Sequence, residues 1–191
     1  MADRLARAVH AGQLPHRHAL GILAVLLGAG IESTASLIGN AARLLAERPE
    51  LAAQLRREPG LVPAFVEEAV RLESPFRFHY RAVARDCELG GVPLRVGHRL
   101  MLSWASANRD EAVFERPDEI DLHRRFPRHH MAFGRGIHFC VGAPLARLET
   151  RVVLEELLDR SSRIELDPDR PPRYAPSLFV RRPASLALRV A

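Results

Sequence analysis

The longest regular pattern of apolar positions lies between two prolines near the start of the chain. Pro15 suits the first position of a helix, and Pro49 marks where a helix must stop. Between them, apolar residues recur close to the 3.6-residue period of an α-helix, at Leu23, Leu27, Ile31, Ala35 and Ile38. The pattern therefore predicts one long helix over residues 15–47.

Two features of this predicted helix indicate what role it can have. Its continuous apolar run, Ala19 to Ile31, has thirteen residues, whereas a membrane span needs about 20. We therefore expect no membrane span and no targeting segment. Gly28 and Gly30 lie mid-helix, where each costs about 1 kcal/mol relative to Ala. Such a cost suggests that something approaches the backbone there.

Shorter patterns predict the remaining elements. Residues 49–57, 63–72 and 143–160 read as helices, and residues 103–108 as a helical turn. Residues 78–102 read as short strands with a turn at Gly90–Gly91, and 163–166 and 185–190 as weak strands. Residues 109–139 form a long loop of a kind that is usually functional. We predict a mainly α fold with small β-sheets, as one domain over residues 1–191.

Composition restricts the function classes. The net charge is +5, but no cluster alternates basic with stacking aromatic residues, which argues against a nucleic-acid binder. The excess of Arg fits either a solvated surface or a docking face for an acidic protein. Two cysteines make no disulfide framework, so a reducing cytoplasm fits best.

The most informative segment surrounds the second cysteine. Gly134, Gly136 and Gly142 let the backbone turn tightly and lie close to a flat ligand. Cys140 falls just before a predicted helix start, where unpaired N–H groups and the helix dipole favour a thiolate. A thiolate of this kind suits a haem iron. A zinc module using His138, Cys140 and one of His129 or His130 is the alternative, although zinc prefers four ligands.

The segment Phe133-Gly-Arg-Gly-Ile-His-Phe-Cys140-Val-Gly142, followed by Leu-Ala-Arg147, resembles the haem-binding signature of the cytochrome P450 family. The resemblance extends from about Leu14 to Ala191. It implies haem b with Cys140 as the axial iron ligand, and Phe133, Gly134, Gly136 and Gly142 around it. Family members are about twice as long, so we expect this chain to correspond to their C-terminal half.

The resemblance also assigns bracing and cofactor residues. Glu68 and Arg71 lie three apart on one helical face, where an ion pair can form. In the family such a pair joins a second arginine, here Arg124, to brace the cysteine loop. Arg81 and His138 match contacts to the haem propionates. The alternative for Glu68 and Arg71 is a solvated surface ion pair, which contributes little to stability.

Within the long helix, Gly30, Glu32, Ser33 and Thr34 resemble the family's oxygen-activation segment, in which an acid precedes a hydroxyl residue. The resemblance implies that Gly30 makes room for dioxygen while Glu32 and a hydroxyl deliver protons. Ser33 stands where Thr is usual, and Thr34 could compensate. Alternatively, these are polar residues that bond to their own helix backbone.

The resemblance further implies a monooxygenase acting on a small apolar substrate, with electrons from an acidic ferredoxin or a flavoprotein. Arg128, Arg135 and Arg147 would form the basic docking face. The alternative is a haem-binding remnant that does not catalyse. Neither nucleic acid nor membrane is expected as a partner. The residues that match the family's substrate pocket are Phe78, His79, Leu178 and Phe179.

Overall fold

The computed structural model describes all 191 residues as six α-helices and eight short strands. The helices are α1 (Ala2–His10), α2 (His16–Ala46), α3 (Pro49–Arg57), α4 (Val62–Leu72), α5 (Trp104–Ala107) and α6 (Ala143–Asp159). The strands are β1 (Phe78–Ala82), β2 (Cys87–Leu89), β3 (Val92–Leu94), β4 (Arg99–Ser103), β5 (Ile164–Leu166), β6 (Arg173–Tyr174), β7 (Pro183–Ser185) and β8 (Leu188–Val190). The predicted mainly α class with small sheets is confirmed.

The strands form four separate two-stranded antiparallel sheets, which pair β1 with β4, β2 with β3, β5 with β8 and β6 with β7. The predicted turn at Gly90–Gly91 joins β2 to β3. Both glycines have positive φ, +56° and +79°, as the tight hairpin turn requires. In the first sheet, His79 lies opposite Leu102.

One core stabilises the chain, and it lies towards the C-terminal end of α2. Its seventeen buried apolar residues come mainly from α2, α3, α4 and α6. Leu45, Leu55, Phe65 and Leu154 show no exposed surface at all. α4 is central, because every residue from Phe65 to Leu72 is buried. That burial leaves the polar residues of α4 dependent on partners inside the protein.

The N-terminal half of α2 has a different environment. By length and composition α2 could cross a membrane, with a mean hydropathy of 1.7 over its most apolar window, although core helices and signal sequences share this property. Only 11% of that window is buried. Val25, Leu27 and Ile31 are each more than 60% exposed, which leaves a large apolar face in solvent.

Three features differ from the sequence prediction. Helix α1 was not predicted; it packs on α2 through one side, with Leu5, Ala8 and Val9 half-buried. Residues 168–183, for which no element was predicted, contain β6 and the start of β7. The long loop 109–139 includes two 3-10 turns, Pro127–His129 and Gly136–His138. Short elements of this kind depend on tertiary contacts more than on local pattern.

Candidate functional site

The cysteine loop is a tight, internally bonded turn that leads into α6. The Cys140 N–H donates to the Phe133 carbonyl at 2.9 Å, and the Cys140 carbonyl accepts from the Ala143 N–H at 3.2 Å. Gly134 and Gly136 both have φ of +69°, a conformation that disfavours any side chain. Cys140 is a free, half-buried thiol. The loop therefore presents one thiol beside the first turn of a helix.

The surface beside this thiol fits a flat apolar cofactor. Ile137, Phe139 and Val141 are 97%, 49% and 76% exposed, which is costly unless a ligand covers them. On α2, a Cβ added at Gly28 or Gly30 would meet no atom within 4 Å, so open space lies along the backbone there. These observations match the chemistry of a haem held by a thiolate.

The zinc alternative does not agree with the geometry. No group of three or more His, Cys, Asp or Glu side chains comes close enough to hold a metal ion. His130, one of the ligands considered, is buried and bonded to a carboxylate. Zinc sites in proteins need three or four protein ligands. Cys140 therefore has no partners with which to form one.

The first brace, centred on the fully buried carboxylate of Glu68, ties α4 to residues 121–124, which precede the cysteine loop. The Glu68 oxygens accept from Arg71 at 2.8 and 2.9 Å and from Arg124 at 3.0 Å. Burial raises the pKa of Glu68, but the hydrogen bonds from Arg71 and Arg124 lower it more, so the net shift is downward. Both guanidinium groups also lie against the ring of Phe114, at 5.2 and 5.7 Å. The structure thus brings the three predicted bracing residues together, and a solvated surface pair is excluded.

A second brace, centred on the neighbouring Glu67, was not predicted. Its carboxylate accepts from the Nε and Nη2 atoms of Arg147 at 2.6 and 3.0 Å and lies 2.9 Å from His130 Nε2. The backbone N–H of Ala132 donates to His130 Nδ1, so Nε2 carries the proton that Glu67 accepts. Arg147 also lies 4.5 Å from the centre of the Phe133 ring. Glu67 therefore holds the chain on both sides of Cys140.

This brace corrects one expectation from the sequence. Arg147 was predicted to belong to a basic docking face, but its side chain is 19% exposed and paired with Glu67. Arg128 also reaches Glu67, at 3.3 Å, yet stays 75% exposed, and Arg135 donates to the His129 carbonyl. Only Arg128 and Arg135 of the three remain open to a partner. The one sequence signal for Glu67 was its place beside Glu68, as an acidic pair between the apolar residues Val66 and Ala69.

We expect Glu67 to contribute an acid-sensitive part of the stability. Burial raises its pKa, but hydrogen bonds from His130 and Arg147 lower it from 4.5 to about 2. A carboxylate with a depressed folded-state pKa adds stability above its unfolded pKa and loses it as pH falls towards the folded value. The free energy of unfolding should therefore fall between about pH 4.5 and pH 2, and less steeply in Glu67→Gln. Urea titrations at steps of pH measure both slopes.

The control for this prediction is Glu149→Gln on α6, which is exposed and forms no ion pair within 4 Å. Its pH dependence should match that of the wild type. Equal slopes for Glu67→Gln and the wild type would contradict the assigned role.

The predicted oxygen-activation segment lies on the exposed part of α2. The Ser33 hydroxyl donates to the Ala29 carbonyl at 2.5 Å, which is the backbone bond that the alternative interpretation requires. The Glu32 carboxylate is half-exposed and paired with Arg182, next to β7, at 2.7 Å. Thr34 is half-buried beside them. The structure therefore shows the acid paired with Arg182, a contact that the sequence did not indicate.

The predicted pocket residues cluster around one ring. Phe179 lies 5.6 Å from Phe78 and 5.3 Å from His79, measured between ring centres. Leu178 is 81% exposed. The Trp104 indole N–H donates to His79 Nδ1 at 2.7 Å. Three of the four predicted residues, Phe78, His79 and Phe179, therefore share one aromatic surface, and Leu178 precedes Phe179 in the chain. Trp104 is a further member that the sequence did not indicate.

A comparison with protein families decides the membership of the chain. Residues 2–190 match the model of the family described as Cytochrome P450. The chain belongs to the cytochrome P450 family. The resemblance that rested on the cysteine signature is thus confirmed, and P450 family members bind haem b, the cofactor that this resemblance implied.

Relatives of known name agree with this membership. Cytochrome P450 144 of Mycobacterium tuberculosis is 47% identical over 190 residues, which cover all of this chain and 43% of the relative. Cytochrome P450-terp of a Pseudomonas species is 42% identical over 161 residues. Among solved structures, the hydroxylase HmtN of himastatin biosynthesis superposes with a TM-score of 0.89 at 41% identity, over 94% of this chain and 48% of HmtN. The chain thus spans about half the length of these P450s.

Proposed function

We propose that this chain is the haem-binding domain of a cytoplasmic monooxygenase, formed by residues 1–191. The reaction inserts one atom of O2 into a C–H bond of a small apolar substrate and reduces the other atom to water. Two electrons come from a ferredoxin or a flavoprotein, and two protons come from solvent. The observation that carries the proposal is the Cys140 loop, which is open beside its thiol and braced on both sides by the buried carboxylate of Glu67.

When bound, haem b supplies the oxygen chemistry through an iron whose reactivity a thiolate ligand increases. Cys140 would hold that iron. Phe133 and the loop glycines, Gly134, Gly136 and Gly142, would shape the face on which the haem lies. Arg81 and His138, both exposed, would pair with its carboxylates. Glu68, Arg71 and Arg124 would not touch the haem. They are positioning residues that hold the segment before the cysteine loop.

Proton delivery would use the polar residues of α2 beside Gly30. Glu32 is half-exposed, so its carboxylate lies within reach of solvent. The Ser33 hydroxyl donates its one hydrogen bond to the Ala29 carbonyl. Its two lone pairs remain available to accept from a water molecule. Thr34 offers a second hydroxyl one residue further on. Gly30 leaves space beside this chain of groups.

The aromatic surface of Phe78, His79 and Phe179, extended by Leu178, would contact the apolar substrate. An acidic electron donor would meet Arg128 and Arg135, whose charges remain available on the loop side. Neither a nucleic-acid nor a membrane partner enters the proposal. By their names, P450-terp is a P450 and HmtN is a hydroxylase. We extend the monooxygenase class from such relatives to this chain.

A second candidate function is haem binding without coupled turnover. The exposed apolar face of α2, with Val25, Leu27 and Ile31 in solvent, favours it. A surface this open would admit water beside the reacting oxygen, and electrons would then leave as peroxide instead of entering product.

One experiment separates the two candidates. The haem-reconstituted chain is supplied with NADPH, a surrogate ferredoxin and its reductase, labelled ¹⁸O₂, and a panel holding a monoterpene, a fatty acid and a polycyclic aromatic. A monooxygenase gives a product with one ¹⁸O atom. The second candidate gives peroxide in proportion to NADPH and no labelled product. In the first case Ser33→Ala should shift the balance towards peroxide by about a hundredfold, the lower end of the range for one proton-transfer group.

A further inference from the structure

One buried asparagine joins the short helix α5 to the cysteine loop. Asn108 follows α5 directly and shows no exposed surface. Its side-chain Oδ1 accepts from the Met131 N–H at 2.6 Å, and its Nδ2 donates to Ser74 Oγ at 2.9 Å. Because a backbone N–H can only donate, the amide oxygen must be the atom that faces Met131. The side chain of Asn108 is therefore held in one orientation.

Met131 begins the turn from which the cysteine is held. Its carbonyl accepts from the Gly134 N–H at 2.9 Å, which closes a four-residue turn. Within that turn, the Phe133 carbonyl accepts from the Cys140 N–H at 2.9 Å. The Met131 N–H has no acceptor in the chain other than Asn108. Asn108 thus fixes the first residue of the turn that holds the backbone of Cys140.

The same asparagine is anchored in the core by α4. The Ser74 hydroxyl, its other partner, lies directly after α4 and donates to the Val70 carbonyl at 2.9 Å. The Arg71 guanidinium donates to the backbone carbonyl of Asn108, also at 2.9 Å. All of these residues are buried. The contact with Met131 therefore starts from a fixed point, and it adds to the support that Glu67 gives the loop.

The other end of α5 belongs to the aromatic surface. The Trp104 indole N–H donates to His79 Nδ1 at 2.7 Å, and the two ring centres lie 6.0 Å apart. The Trp104 carbonyl accepts from the Asn108 N–H at 2.9 Å. α5 has four residues, which is one helical turn. A single turn thus separates a residue that contacts the aromatic surface from one that contacts the cysteine loop.

We propose that Asn108 is a positioning residue for Cys140, and that α5 transmits a disturbance of the aromatic surface to the cysteine loop through it. A substrate that displaces His79 would move Trp104, and so change how firmly the loop holds the iron ligand. The role of the substrate rests on the proposed function. The contact between Asn108 and the loop belongs to the chain itself and is tested without haem.

The test compares two substitutions at one position. Asn108→Leu keeps nearly the same side-chain volume but removes the acceptor for the Met131 N–H. Asn108→Asp keeps that acceptor, and the Ser74 hydroxyl can turn to donate to the second carboxylate oxygen. The added negative charge lies near the Arg71 guanidinium, which already contacts the Asn108 carbonyl. Ser74→Ala is the matched control, since it removes the other partner of Asn108 at a similarly buried position.

The first readout is amide hydrogen exchange of the haem-free chain, followed by NMR at Met131 and Cys140. The amides of α3 report global unfolding and serve as the reference. Asn108→Leu should speed exchange at both sites by about fivefold relative to α3, the effect of losing one neutral hydrogen bond. Asn108→Asp and Ser74→Ala should match the wild type. Equal relative exchange in Asn108→Leu and the wild type would overturn the positioning role.

A cycle of two substitutions tests transmission through α5. Trp104→Phe keeps an aromatic ring but removes the bond to His79, and it should speed exchange at Cys140 by a smaller factor. In the Asn108→Leu background it should add nothing, because the link is already broken. Trp104 is half-buried, so its single variant also decides the matter if Asn108→Leu does not fold. Unchanged exchange in Trp104→Phe, or effects that multiply in the double variant, would show that α5 transmits nothing.

The second readout uses the haem-reconstituted chain, reduced and exposed to carbon monoxide. The strongly red-shifted Soret band reports thiolate ligation, and its decay reports loss of that ligand. Decay should be about fivefold faster in Asn108→Leu, again the effect of one hydrogen bond, and unchanged in Asn108→Asp and Ser74→Ala. Unchanged decay in Asn108→Leu would contradict the effect on the iron ligand. A wild type that never gives the band counts against the proposed function alone, because the exchange readout still decides the role of Asn108.

Discussion

Glu68→Gln should lower the free energy of unfolding by about 3–5 kcal/mol, the range for breaking a buried ion pair by removing one charge. Arg71 and Glu68 are both fully buried, and Arg124 is 8% exposed. The substitution keeps the shape of the side chain but leaves two guanidinium groups sharing a neutral amide. Arg71 retains hydrogen bonds to the carbonyls of Asn108, Pro117 and Glu119, which keep the loss towards the lower end. Urea unfolding followed by far-UV circular dichroism measures it.

The control is Glu155→Gln on α6, whose half-exposed carboxylate lies 3.6 Å from Arg151. An exposed pair at this spacing contributes about 0.3–0.5 kcal/mol, so its loss should be barely measurable. If Glu68→Gln and Glu155→Gln lower the free energy of unfolding by the same amount, the buried network does not brace the fold. Because the pKa of Glu68 is lowered by Arg71 and Arg124 against the opposing effect of burial, the difference between the variants should shrink at acid pH.

Long helices were predictable because their pattern repeats. The α2 and α6 helices end within one residue of the predicted bounds, since several turns of apolar residues and flanking prolines act together. Helix α1 has nine residues, as α3 does, but lacks the proline that marks the start of α3, and strands β6 and β7 have only two and three residues. Elements this short are stabilised by what they pack against, and a single sequence does not contain that information.

The two braces show where sequence reasoning about the site stops. Glu68 and Arg71 are three residues apart, so helical geometry alone brings them together. His130 and Arg147 lie 63 and 80 positions after Glu67 in the chain, and no local rule brings them to it. Asn108 is a similar case, because it accepts from the Met131 N–H and donates to Ser74. Such contacts follow from the packing of α4 under the cysteine loop.

Buried charge on α4 has a common consequence for the cysteine loop. Two adjacent carboxylates, Glu67 and Glu68, point to different sides of one helix and bind different parts of the chain. Glu68 holds the stretch that contains Arg124, and Glu67 holds both flanks of Cys140. A thiol that is partly open to solvent is thereby attached to a rigid core. Ligand positions supported in this way stay within the small tolerance that cofactor chemistry needs.

Cys140→Ser should abolish the strongly red-shifted Soret band that a thiolate-ligated haem gives when it is reduced and exposed to carbon monoxide. Only a thiolate donates enough electron density to the iron for this spectrum, and a serine hydroxyl is not ionised at neutral pH. The substitution changes one atom in a loop held by backbone hydrogen bonds, so the fold should survive. Difference spectra of the haem-reconstituted proteins measure the effect.

Cys87→Ser provides the matched control, because Cys87 is an exposed free thiol on β2. Its spectrum should equal that of the wild type, and its circular dichroism should equal that of Cys140→Ser. A red-shifted band that survives in Cys140→Ser, or disappears in Cys87→Ser, would show that the iron is held elsewhere. A wild type without the band, but with native circular dichroism, would show that the braced loop does not by itself hold haem through Cys140.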